Sequence, residues 1–338
     1  MSQTGQFKLI VLLGTLALLF FGVYFYMERC IMIDTSFYIF YMLKDNIFQI
    51  QHHRIFAVFT QLLPMLLFNL DVSVKYIMLS YSINTVLVWI VFAFLSAWIW
   101  RDYKSAVAIL ISPFLFNSKE FFWMVSEAQF LPAIWIFVAA YMLNVNFNER
   151  IILKALFLIV LLLLAITVHP LSIFTLAFLI LFLLIKGYYK KNLLLFISAT
   201  VLVFVIKAVL MPASPYDQSA MTRIANFQYV APNYWYHAPN KILLSNLSSQ
   251  FYFIPIMLLL CLLSFAGIKK FFWGFLYCLG IIGYFFFINV CFYELNDQAV
   301  LFLENIYQPI IPALLIPVFF SSNSFRNNKL LVVISLTA

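Results

Sequence analysis

Residues 149–192 read ERIILKALFLIVLLLLAITVHPLSIFTLAFLILFLLIKGYYKKN. Two continuous apolar runs, 151–169 and 171–187, meet at the tight turn His169-Pro170. The bases sit at their far ends: Arg150 and Lys154 at the start of the first run, Lys186, Lys190 and Lys191 at the end of the second and just beyond it. Each run approaches the ~20 residues that carry a helix across a bilayer. Lys and Arg in short loops stay on the cytoplasmic side. The stretch therefore reads as a hairpin of two membrane helices with its bases inside and His169 outside.

The rest of the chain repeats this pattern. Of 338 residues, 65% are hydrophobic and only 9% charged, and mean hydropathy is +1.03. Such a composition excludes a soluble globular domain. A membrane β-barrel would show short alternating strands, whereas these runs are continuous. The expected fold is all-α, a polytopic helical membrane protein in one domain, residues 1–338. Ten spans are read, at 7–26, 76–100, 104–118, 127–146, 151–169, 171–187, 192–211, 251–268, 271–292 and 305–320. The first resembles a signal peptide, but Met27-Glu28-Arg29-Cys30 offers no small-residue cleavage site, so it reads as a retained span. The last nine residues, Leu330–Ala338, are apolar but rise only about 13.5 Å as a helix and cannot cross alone.

With the N-terminus cytoplasmic, 12 of the 20 bases lie in inner loops and 10 of the 12 acids lie outside. The net charge of +8 is thus a topology signal and not a nucleic-acid surface. Ile55–Leu70 is apolar enough to cross, but crossing would invert every later loop. It reads instead, with the rest of 36–70, as amphipathic helices on the outer surface, interrupted near Gln49–Arg54. Two outer segments are long, 27–75 and 212–250. The second combines Pro212 and Pro215 with Tyr229, Tyr234, Trp235, Tyr236 and His237, too aromatic for disorder. Cys30, Cys261, Cys278 and Cys291 form no CxxC pair, and no metal-ligand set is read from them.

The outer side also gathers the residues able to carry chemistry. Asp34 follows an apolar Ile31-Met32-Ile33, where partial desolvation would raise its pKa and suit it as a base; the alternative is a helix N-cap. Gln51-His52-His53-Arg54 is the densest polar cluster. Arg54 is a natural phosphate partner, with lipid headgroups as the plainer role. On a helix His52 and His53 would point about 100° apart, too far for one metal. Glu127 and Glu304 open spans, where the helix dipole also favours an acid. Lys119 and Glu120 read as solvated. His169 can bond a phosphate or cap its turn. Lys207 lies inside an apolar run, a functional-site hypothesis by default, with snorkelling as the alternative. Asp34, Arg54, Glu127, His169, Lys207 and Glu304 fall at one depth on one side. That pattern suits a substrate with a lipid tail and a phosphate head.

The order of these features resembles the GT-C superfamily of membrane glycosyltransferases. The resemblance rests on a first span, then an outer acid followed by a Tyr (Asp34, Tyr38), then surface helices with a base and a Pro (Arg54, Pro64). It continues with Ser126-Glu127 at a span start and Tyr307-Gln308-Pro309 with Pro312 near the C-terminus. Two positions depart from the family pattern: Asp34 has no adjacent acid, and Ile306 stands where many members have Arg. The resemblance implies transfer of a sugar from a polyprenyl-phosphate donor on the outer face of a bacterial inner membrane. Asp34 would be the catalytic base. Arg54 and Lys207 would hold the donor phosphate, with His53, Glu127, His169 and Glu304 as further substrate-binding residues. No particular cofactor is implied, and a divalent metal is left open. The expected partners are the lipid-linked sugar and membrane lipids. The alternatives are a polysaccharide polymerase, which generally relies on an Arg-rich outer loop, and a transporter or flippase, which often shows repeated halves.

Overall fold

The computed structural model describes residues 3–31, 33–115, 121, 127–294, 303–304 and 306–321. Lys119, Glu120, Ser126 and Leu330–Ala338 lie outside the described residues. No strand occurs among those described. Each of the ten runs read as spans forms a helix within its described residues: α1 (Gln3–Tyr24), α5 (Val74–Ile99), α6 (Tyr103–Ile111), α7 (Leu131–Asn144), α8 (Ile151–Val168), α9 (Ser172–Lys186), α10 (Lys190–Leu210), α14 (Phe253–Gly267), α15 (Phe271–Cys291) and α16 (Ile310–Phe320). Five of them, α1, α5, α8, α10 and α15, are long and apolar enough to cross a membrane. α6, α9, α14 and α16, together with α4 (Ala57–Asn69), are apolar but shorter, and α7 is an apolar helix of 14 residues.

The division between outer and inner helices follows from burial. In α7 every residue from Leu131 to Met142 is buried, and in α16 every residue from Ile310 to Phe319. These two short helices form the centre. The long helices surround them and present large apolar side chains outward, such as Leu12, Leu16, Ile152, Leu156, Leu202 and Val205. A water-soluble bundle would put polar residues there. An apolar exterior around an apolar centre is the pattern of helices solvated by lipid.

Local chemistry sets the ends. Asp102 accepts the Ser105 N–H at 3.1 Å and caps α6. Gly187 closes α9 at φ +75°, a left-handed conformation that costs glycine nothing, while Tyr188 N–H returns to the Leu183 carbonyl. At this end of the bundle the Lys8 ammonium lies 5.5 Å over the Tyr103 ring. Asn144 donates to Asp102 at 2.9 Å, and Lys186 donates to the Phe320 carbonyl at 2.7 Å.

The opposite end is built from short helices. α2 (Tyr26–Ile31), α3 (Ile33–Asp45) and α4 (Ala57–Asn69) cover 27–75. Segment 212–250 folds as α11 (Pro215–Thr222), α12 (Phe227–Val230) and α13 (Ala238–Asn246), joined by 3-10 turns. Pro215 and Pro239 stand in the first helical turns, where a missing N–H costs nothing. Arg29 fastens α2 to α5: its guanidinium donates to Ser82 and Thr85 at 2.9 Å and to the Phe121 carbonyl. At 13 residues α4 belongs with the shorter apolar helices and carries Pro64 within it.

Candidate functional site

The short-helix end holds one connected set of ionisable side chains. Asp34 and Tyr38 stand one turn apart on the same face of α3. The Tyr38 hydroxyl donates to Glu127 Oε1. Glu127 begins a 3-10 turn leading into α7, and its Oε2 accepts Arg54 Nη1 at 2.9 Å. Arg54 Nη2 lies 3.7 Å from Asp217 Oδ1. Asp217 accepts the Ser214 hydroxyl at 3.0 Å. With that proton spent, Ser214 Oγ receives the hydrogen bond of His52 Nδ1 at 3.1 Å. The His52 ring stacks on Tyr216, centroids 4.6 Å apart. His169 and Lys207 lie near enough to feel these charges. The charges of Arg54 and Lys207 both act on the His169 ring, and Asp217 acts on Lys207.

Burial shapes the protonation of this set. Asp34 is pushed up to about 6, chiefly because burial penalises its anion; Glu127 adds to this and Arg54 opposes it. Burial, then Glu127, also raises the Tyr38 hydroxyl. Burial works against the Arg54 charge, but Glu127 and Asp217 more than reverse it and hold the guanidinium above its ordinary value. Burial, then Arg54, lowers His52. His169 falls well below the usual histidine range, through burial first and then Arg54 and Lys207. Its Nδ1 accepts the Leu171 N–H at 3.2 Å, so the neutral ring carries its proton on Nε2.

A narrow cleft of about 280 Å³ opens beside this set, lined by Asp34, Tyr38, Thr60, Tyr81, Glu127 and Gln129 among others. Two buried polar atoms, Arg54 Nε and Gln129 Oε1, have no hydrogen-bond partner among the described residues. Such atoms in a buried network call for a ligand or water. Arg54 already faces two carboxylates. Lys207, by contrast, donates only to the Ile166 carbonyl, at 3.3 Å, among the described residues. It retains donors for an anion. Among the described residues no group of three His, Cys, Asp or Glu has the geometry to hold a metal ion.

The sequence-predicted residues sort unevenly. Asp34, Arg54, Glu127, His169 and Lys207 converge. His169 does cap its turn, and it also faces the cluster. His53 is exposed, and its neighbour His52 enters the cluster instead. The helix assumed for this pair is absent: both residues adopt left-handed φ, 52° and 58°, in a turn. Glu304 is fully buried ahead of α16, on a segment fastened to α9 by Thr175 donating to the Pro309 carbonyl at 3.0 Å. Asp217, Ser214 and His52 were missed as site residues. Ser214-Pro215-Tyr216-Asp217 carries a legible signal: a capping Ser with an acid three residues later marks a helix start. That pattern would have fixed Asp217 in an ordered element. Comparison with family models, with curated proteins and with solved structures found no match, so the function is argued from this geometry.

Proposed function

We propose that this chain is a membrane glycosyltransferase of the GT-C type. It would take a sugar from a polyprenyl-phosphate donor and pass it to an acceptor hydroxyl on the extracytoplasmic face. In this reading all ten apolar helices cross the bilayer, the N-terminus is cytoplasmic, and the short-helix end faces outward. One observation carries it. Ionisable side chains from six separate segments meet in a half-buried patch at one end of an otherwise apolar bundle. Charges at such a depth are expensive and mark function.

The chemistry follows from the protonation states. Asp34, pushed up to about 6, is still largely ionised near neutral pH yet basic enough to take the acceptor hydroxyl proton. The acceptor oxygen bonds to the sugar's anomeric carbon. The bond from that carbon to the donor phosphate oxygen breaks, and its electron pair leaves on the phosphate. Lys207 stabilises the departing anion with the donors it retains. Arg54 orders Glu127 and Asp217 around the cleft.

The test uses purified protein in liposomes with polyprenyl-phosphate-linked hexose, reading release of polyprenyl phosphate. Asp34→Asn is expected to lower kcat by about 10²–10⁴-fold. Lys207→Met is expected to raise KM for the donor, and Lys207→Arg to restore part of it. A fully active Asp34→Asn, or Lys207→Met with unchanged donor KM, sinks this reading and promotes a transporter.

A further inference from the structure

A second concavity lies on the outside of the bundle. Between α9 and α15 runs a groove of about 590 Å³, lined by Phe174, Ala177, Phe178, Leu181, Gly280, Gly283, Tyr284 and Phe287. Its α9 wall repeats at i, i+3, i+4 and i+7, one stripe of the helix. Its floor exists because α15 carries glycine at 280 and 283. A Cβ on Gly283 would meet nothing within 4 Å, and one on Gly280 would only touch the Phe178 ring at 3.4 Å. The groove shares no lining residue with the Asp34 cleft.

Both walls are helices with apolar outer faces, so the medium against this groove is hydrocarbon. Along α9 the lining covers seven rises, about 10.5 Å. That is most of one leaflet of a core ~30 Å thick, and far less than a long polyprenyl tail needs. The groove has a polar cap at one end. Phe227 of α12 packs on Phe286 and Phe287, centroids 5.9 and 5.8 Å away. One turn before it, the Arg223 guanidinium lies 5.2 Å over the ring of Phe292, the residue that follows α15. No carboxylate pairs with Arg223 among the described residues. An apolar slot spanning most of one leaflet, beneath a guanidinium with no carboxylate partner among the described residues, matches a fatty chain joined to a phosphate.

We propose that the α9–α15 groove is a binding site for an anionic glycerophospholipid, with one acyl chain in the groove and the headgroup phosphate at Arg223. Occupancy here is independent of any transfer chemistry at Asp34.

The full chain is placed in nanodiscs containing phosphatidylglycerol with a photoreactive acyl chain. After irradiation, labelled peptides are mapped. Label is expected on 174–181 and 280–287. Arg223→Gln is expected to reduce it about fivefold, the size of one basic residue's attraction for an anionic headgroup. Gly283→Phe, which fills the slot from a position with open space, is expected to abolish it while leaving the melting temperature unchanged. Equal labelling by phosphatidylcholine, or labelling untouched by both substitutions, overturns the site in favour of ordinary surrounding lipid. Stronger labelling by a photoreactive polyprenyl phosphate overturns the choice of lipid. A Gly283→Phe chain that fails to fold leaves the Arg223→Gln comparison between the two phospholipids to decide.

Discussion

Asp34 illustrates how one residue sets stability against chemistry. Its carboxyl titrates at about 6 in the folded chain against an ordinary 3.8. Between those values the folded state holds more protons than the unfolded one, so stability falls as pH rises through that window. Above it the ionised carboxylate costs the fold on the order of 1–2 kcal/mol, after allowance for partial solvent screening. Asp34→Asn removes this cost. The variant is expected to melt at higher temperature than the parent near neutral pH in detergent, and to lose that advantage below pH 3.8. Donor cleavage by the parent is expected to rise with pH through about 6 and then level off. A variant less stable than the parent at neutral pH would mean that the carboxylate holds the structure together and is no base. The left-handed turn at His52 and His53 belongs to the same trade. A β-carbon in that region costs roughly 1–2 kcal/mol per residue, and here it turns His52 toward Ser214.

At the scale of elements, the close pairs are set by small residues. Gly22 lets α1 approach α5, and Ser82 donates to its carbonyl at 2.7 Å. Gly274 lets α14 and α15 meet: a Cβ there would overlap Phe265, whose ring packs 5.2 Å from Tyr277. Phe265 is fully buried and has no room to yield. Gly274→Ala is therefore expected to destabilise the chain by about 1–3 kcal/mol, the usual range for overpacking. Thermal unfolding in detergent measures it. Gly283→Ala on the same helix meets nothing and serves as the matched control. Equal melting of the two variants would show that α14 and α15 slide apart without cost.

At the scale of the molecule, the two ends differ in kind. One gathers Lys8, Asp102, Lys104, Asn144 and Lys186, linked through Tyr103 and Phe320. The other gathers Asp34, Arg54, Glu127, His169, Lys207 and Asp217. Under the proposed orientation the first is cytoplasmic. Single cysteines at the exposed positions Lys190, Lys270 and Lys241 test this in intact cells. The four native cysteines are buried and give little background. A membrane-impermeant thiol reagent is expected to label position 241 only. Labelling at 190 or 270 from outside would invert the protein and place Asp34 on the wrong side for an extracytoplasmic acceptor.

The sequence by itself determined the helices. Among the described residues the apolar runs folded as helices, because continuous apolar runs without strand-period alternation must satisfy their backbone internally when lipid is the solvent. It also set which loops carry the acids, since charge cannot stay in hydrocarbon. That was enough to bring Asp34, Arg54, Glu127, His169 and Lys207 to one end. Only the tertiary structure decided which neighbours touch. Arg54 pairs with Glu127, 73 positions away, and with Asp217, 163 positions away, and no local pattern encodes either partner. His52 rather than His53 enters the cluster because the turn there is left-handed, a choice imposed by packing against Tyr216 and Ser214. The α9–α15 groove likewise exists only once two helices lie side by side. Periodicity reports which face of each helix is apolar, but not which faces leave a gap between them.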